Sequence, residues 1–262
     1  MKKVCIFLFS GTGMTKYVID KLKTEFESQQ VNVDIYNIED TQAKNISIND
    51  YNILGIANPV HAFNAPKIVI DFVKQLPEVE GISTFIINTA GEYNPINFAS
   101  SNLLIKILRK KGFDVFYNKQ FMMPSNFIIK TKKTEVEKCI SNVNCEVSNV
   151  AYDIINNVSC ELKSGFIAKF ATIVGRLEWI GAKSMGKFLY IDKNCNRCGN
   201  CINRCPNKNI IMEKNRVKFK WKCGLCMRCI YVCEKQSIKI HHPCKFISIK
   251  EWYEEDELSE IK

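Results

Sequence analysis

No apolar run in these 262 residues approaches the ~18–20 positions needed to cross a bilayer, so the sequence offers no membrane-spanning helix. No secretory leader is expected either. The N-terminal MKKVCIFLFSGTG holds two lysines and a six-residue apolar run, too short for an h-region and leading straight into a glycine loop, so it reads as a strand. The expected location is therefore cytoplasmic, where thiols stay reduced and thirteen cysteines are not disulfide scaffolding. The loop FSGTGMTK lacks the lysine of G-x-x-x-x-G-K-[ST], which excludes a nucleotide P-loop, and lacks the G-x-G-x-x-G of dinucleotide folds. There is also no clear acid–base pair to argue for an enzyme.

What the chain does have is a globular share of apolar residues, 46%, and enough length for one larger and one smaller domain. Its net charge of +10 is uneven. Residues 190–245 hold thirteen Lys and Arg against three Asp and Glu, and residues 251–262 hold six acids and one lysine. A basic module thus precedes an acidic tail, and the basic charge raises a nucleic-acid reading.

The first ~125 residues alternate strand-like runs with helical patterns. Strands are expected at 4–9, 31–38, 52–57, 84–88 and 114–123, and helices at 14–26, 66–76 (Pro66 in the first turn) and 98–112, the last ended by Gly112. Five strands separated by helices imply an α/β fold with a doubly wound, five-stranded parallel sheet. A helical pattern resumes over 134–157. The run 165–189 repeats apolar residues at helical spacing, with Lys169, Arg176 and Lys183 among its polar positions. It reads either as a linker helix packed between two domains or as a basic amphipathic helix in peripheral contact with a membrane.

In an open α/β sheet a ligand sits beyond the C-terminal strand ends at the switch point. Three loops fall there. Ser10, Gly11, Thr12, Gly13, Met14 and Thr15 open the first helix, with hydroxyls, close-approach glycines and no cation, which suits the phosphate monoester of FMN. A tight strand-to-helix turn capped by Ser or Thr explains the same residues. Pro59, Val60, His61, Ala62 and Phe63 follow the third strand, and Thr89, Ala90, Gly91 and Tyr93 the fourth. Their aromatic and small residues could frame a flat isoalloxazine, or anchor ordinary loops.

CNRCGNCINRCP (195–206) and CGLCMRCIYVC (223–233) share the spacing C-x2-C-x2-C-x3-C, displaced by 28 positions. Three thiolates at this spacing wrap one corner of a cubane, and in two-cluster ferredoxins the fourth ligates the other cluster. The crossed sets are Cys195, Cys198, Cys201 and Cys233, and Cys223, Cys226, Cys229 and Cys205. Zinc uses paired C-x2-C knuckles, which leaves a surplus cysteine in each half. Cluster charge would offset part of the lysine and arginine excess, so no nucleic-acid partner is expected. The other five cysteines, Cys5, Cys139, Cys145, Cys160 and Cys244, read as small buried residues or inert thiols.

SGTGMT (10–15), NPVHAFNAP (58–66), TAGEYN (89–94) and MPSN (123–126), followed by the cysteine module, resemble the flavodoxin–ferredoxin fusion proteins of anaerobic bacteria. The resemblance spans nearly the whole chain. It implies a flavodoxin-like domain (1–160), a helical linker (161–187), a small α+β ferredoxin-type domain (188–246) and an acidic tail (247–262). By it, residues 10–15 hold the FMN phosphate and the 58–63 and 89–94 loops frame the ring. Two departures stand out. Met14 replaces an asparagine, and Glu234 stands where Pro206 stands in the first repeat, either near a cluster or facing solvent. The implied function is electron transfer between FMN, two 4Fe-4S clusters and protein redox partners. The alternative is an FMN-dependent reductase of a small substrate, with His61 and Glu92 as its acid–base candidates.

Overall fold

The computed structural model describes residues 2–92, 94–125 and 131–240. Tyr93, Asn126, Cys244 and the 247–262 tail, which carried expectations above, lie outside them.

Five parallel strands form the sheet: β1 (Lys3–Leu8), β2 (Asn32–Asn37), β3 (Ile53–Pro59), β4 (Ser83–Ala90) and β5 (Asp114–Met122), in the order β2-β1-β3-β4-β5. β1, β3 and β4 are buried almost without a break, as parallel strands covered on both faces must be. Val4 sits beside both Val33 and Ile53, so β1 is central. The switch point lies between β1 and β3, and it aims their C-terminal loops at a common crevice. This is the flavodoxin-like order.

Helices α1 (Met14–Ser28) and α5 (Lys133–Ile155) cover one face, and α3 (Lys67–Gln75) and α4 (Asn102–Lys110) the other; α2 (Thr41–Lys44) is a single turn after β2. Alternation along the strands divides the core. Ile6 packs with Val18, Leu22 and Phe26 of α1 and Val143 and Val147 of α5. Phe7 packs with Val69 and Val73 of α3 and Leu104 and Leu108 of α4. Cys5 and Cys139 are buried in these layers, and burial pushes Cys5 up to about 12 and raises Cys139. Cys145 is exposed. After α5 the chain returns along the open edge of β5: Asn118 N donates to Cys160 O (2.7 Å), and Cys160 N to Phe116 O (3.1 Å).

The single helix expected over 98–112 is shorter. A 3-10 turn spans Pro95–Ala99, and α4 starts only at Asn102. Ser100 and Ser101 are buried between the two, and Asn88 Nδ2 donates to Ser101 Oγ at 2.5 Å. The 165–189 pattern is divided as well, into α6 (Phe166–Gly175), α7 (Glu178–Met185) and a 3-10 turn, Gly186–Phe188. The break follows Gly175, where an added Cβ would lie 2.1 Å from Ala62 O, so the helix presses its backbone on the β3–α3 loop. Ala168, Thr172 and Ala182 are the buried residues of these two helices.

In the cysteine module β6 (Leu189–Ile191) pairs antiparallel with β9 (Ile238–Ile240), and β7 (Ile210–Glu213) with β8 (Arg216–Phe219). One-turn helices α8 (Asn200–Asn203) and α9 (Arg228–Tyr231) lie 28 positions apart. The repeat extends to the backbone. Positive φ recurs at Arg197 and Leu225, Gly199 and Met227, and Lys208 and Gln236. Leu189, Met227, Ile230 and Ile238 make a small core of their own.

Candidate functional site

The loop after β1 turns sharply because Gly13 adopts φ 95° and caps α1 without a side-chain acceptor. Ser10 Oγ accepts from Gly13 N (3.2 Å) and from Lys16 N (3.4 Å). The first turn of this fifteen-residue helix carries no acid, so its amide end suits an anion. Met14 and Thr15 are buried, and the Thr15 and Thr89 hydroxyls hydrogen-bond at 2.8 Å, joining the first and third loops.

Val60 N donates to Thr89 O (2.8 Å), joining the second loop to the third. His61 and Asn64 exchange backbone hydrogen bonds around a tight turn whose two central residues, Ala62 and Phe63, have φ of 41° and 64°. That turn usually takes Asn-Gly; an aromatic side chain held at its tip, 37% exposed, is an expensive placement of the kind found at ligand sites. Asn64 Nδ2 donates to Thr172 O (2.9 Å), so α6 braces the turn. Burial pushes His61 down to about 4, which keeps its imidazole neutral near pH 7. Asn58 Oδ1 is buried under this loop with no hydrogen-bond partner among the described residues. Pro59 closes β3, Ala90 O accepts from Met123 N (2.9 Å), and Gly91 lies against Ser125. Glu92 is exposed.

The eight module cysteines separate into two groups across the repeat. One cavity is lined by Cys195, Cys198, Cys201 and Cys233, the other by Cys205, Cys223, Cys226 and Cys229. Burial, then the neighbouring thiols of Cys233, Cys195 and Cys198, pushes Cys201 up to about 11. Burial also raises Cys223, pushes Cys226 up to about 11 and drives Cys229 well above the ordinary thiol range, with Cys205 acting on all three. Backbone amides point at sulfur in matched pairs: Arg197 N to Cys195 Sγ (3.4 Å) and Leu225 N to Cys223 Sγ (3.5 Å), then Asn209 N to Cys205 Sγ (3.2 Å) and Ser237 N to Cys233 Sγ (3.3 Å). Glu234 is exposed and lines the first cavity.

The second cavity adjoins the loop after β1. An added Cβ on Gly11 would lie 2.3 Å from Cys226 O, and Cys226 packs against the sheet core, as does Trp179. Arg228 fastens the contact. Its Nη2 donates to Ser10 O (2.6 Å), Nη1 pairs with Glu39, and its guanidinium lies 5.7 Å from the Phe9 ring centre. Its amide and its charge both favour the Cys226 thiolate, against the larger opposing effect of burial. Sequence reasoning missed Arg228 and Glu39. The readable signal was the repeat itself, which has Asn200 at the position equivalent to Arg228.

Two family models match: a flavodoxin domain over residues 5–89 and a 4Fe-4S dicluster domain over 187–234. The chain is a flavodoxin–ferredoxin fusion. No curated protein matches it. Among solved structures, the fusion is similar to Bacillus cereus flavodoxin 1 (15% identity, TM-score 0.41, 61% of this chain and 100% of that one). It is also similar to an archaeal flavodoxin (13%, 0.35, 58% and 99%). A third is an FMN-dependent NADH-azoreductase from Bacillus anthracis (12%, 0.42, 59% and 99%).

The flavodoxin domain of the fusion implies FMN and the dicluster domain implies iron–sulfur clusters, which together support an electron-transfer role. The residues present fit both groups. An acid-free helix N-terminus behind a positive-φ glycine can receive a phosphate, and four thiols around each cavity, met by backbone N–H, are a cluster's donor set.

Proposed function

We propose that the protein carries electrons between FMN, two 4Fe-4S clusters and external ferredoxin- or flavoprotein-type partners in the cytoplasm. When bound, FMN would supply two-electron uptake with single-electron release, and each cluster one-electron exchange. In this reading Cys195, Cys198, Cys201 and Cys233 hold one cluster, and Cys205, Cys223, Cys226 and Cys229 the other. Residues 10–15 hold the flavin phosphate, with the 59–63 and 89–91 loops and Tyr93 around the ring. The domain limits that go with it are 1–160, 161–187, 188–246 and 247–262.

One observation carries the reading: the Cys226 carbonyl and the Arg228 side chain rest on the loop at Ser10 and Gly11. The second thiol set therefore abuts the flavin loops through contacts within a single chain, an arrangement that serves exchange between two bound groups. Each thiol set rings a cavity, which favours a cubane over a single zinc ion. Burial lowers the pKa of His61, which disfavours an imidazolium general acid there near pH 7.

The test is an anaerobic preparation of the whole chain. It should contain about eight irons, matching acid-labile sulfide and one FMN. Reduction by a ferredoxin-type donor should change both the flavin and the iron–sulfur absorbance. Zinc without sulfide, or a flavin that responds while the iron–sulfur bands do not, overturns the reading.

A further inference from the structure

Between Phe166 and Ile180, every exposed residue is apolar except Lys169. Phe166, Ile167, Phe170, Ile173, Leu177 and Ile180 are 59–85% exposed. Residues 166, 170 and 173 share one side of α6, while the buried Ala168 and Thr172 occupy the opposite side, turned to the flavodoxin domain. The face is bordered by positive charge. Lys169 and Lys183 are exposed on the two helices, and Lys163 and Lys169 line an open groove with Lys106 and Arg109. Arg109 is paired there with Glu161. Glu178 is the acid within the two helices, and burial raises its pKa toward the neutral form.

We propose that α6 and α7 dock this face on an anionic bilayer surface, lying in the interface plane. Among the described residues no helix is long and apolar enough to cross a membrane, so the helices would lie on the bilayer. Large aliphatic and aromatic side chains flanked by lysine are what a layer of anionic headgroups over acyl chain accepts. A protein partner fits less well, because protein interfaces interleave hydrogen-bonding groups with apolar ones, and this stretch exposes almost none. A symmetric contact with a second copy would set the same lysine-flanked patch against itself. The docking stands apart from the electron-transfer reading and does not depend on it.

The experiment uses the whole chain, loaded with iron and flavin under anaerobic conditions, and cosedimentation with vesicles. One set is phosphatidylcholine, the other phosphatidylcholine with about one third phosphatidylglycerol. Binding should be about tenfold tighter to the anionic vesicles. The double variant Phe166→Ser/Phe170→Ser should weaken it about tenfold or more with iron and flavin contents unchanged. Lys169→Glu/Lys183→Glu should remove the preference for anionic lipid. No binding to either vesicle overturns the proposal, as does equal binding by the serine variant. So does a dimer in sedimentation that the serine variant dissolves, which would make this face a self-interface.

Discussion

Asn200 and Arg228 hold equivalent places in the two cysteine repeats, each opening a one-turn helix behind a positive-φ residue. Asn200 is exposed. Arg228 reaches another domain, with 16% of its side chain exposed, and binds Glu39 and the Ser10 carbonyl. The thiols follow the same division. Cys198 is exposed, while its counterpart Cys226 packs against the core of the flavodoxin sheet. The two halves thus share a backbone and differ in what they face, one toward solvent and one toward the loop after β1. A short internal repeat supplies two equivalent cages, and a few side chains around one of them are enough to assign it an inner position.

The comparison breaks most visibly at the fourth cysteines. Cys205→Ser should remove the set with Cys223, Cys226 and Cys229, and Cys233→Ser the other, each costing about half of the iron. A Cys205/Cys223 double variant should lose no more iron than either single one; loss of all iron in it would mean that ligation is not crossed. Next in size is Arg228→Glu. Removing one partner of a largely buried pair costs about 3–5 kcal/mol, so amide exchange at Ser10–Gly13 should accelerate, while Asn200→Glu stays within about 0.5 kcal/mol of the parent. Equal behaviour of the two variants would erase the asymmetry.

Smaller effects sharpen it. Met227 is buried at φ 61° where the first repeat has Gly199 at 84°. Met227→Gly relieves a strained backbone but empties part of the small core, and should lower stability by about 2 kcal/mol, read as the thermal midpoint of the loaded protein. The smallest change in atoms is a single methyl group. Gly11→Ala places a Cβ 2.3 Å from Cys226 O, whereas Gly199→Ala meets Asn203 Nδ2 only at 4.0 Å. The first should shift the paramagnetic signal of the second cluster alone. The second should leave both signals in place and cost about 1 kcal/mol.

Much of this was legible in the chain. Buried runs such as VCIFLF announce parallel strands, and three thiols of each repeat gather because cysteines three residues apart stay local, the fourth coming from the other repeat. The division of 98–112 was hidden, since Ser101 turns inward to meet Asn88 on a distant strand. Arg228 was one of thirteen basic residues in its segment, and only its tertiary partners, among them Glu39 189 positions away, distinguish it. Periodicity marked an apolar face on 165–189 but could not say whether it was covered. On α6 it is Ala168 and Thr172, not the large side chains, that meet the protein.

The return of the chain past Cys160 has a consequence for taking the molecule apart. β5 is nine residues long and would otherwise end the sheet as an open row of amides and carbonyls, the kind of border that recruits strands from other molecules. Cys160 occupies that border at Phe116 and Asn118. A flavodoxin fragment cut just after α5 would bare it and invite aggregation, while one extended a few residues beyond Cys160 would keep its own seal.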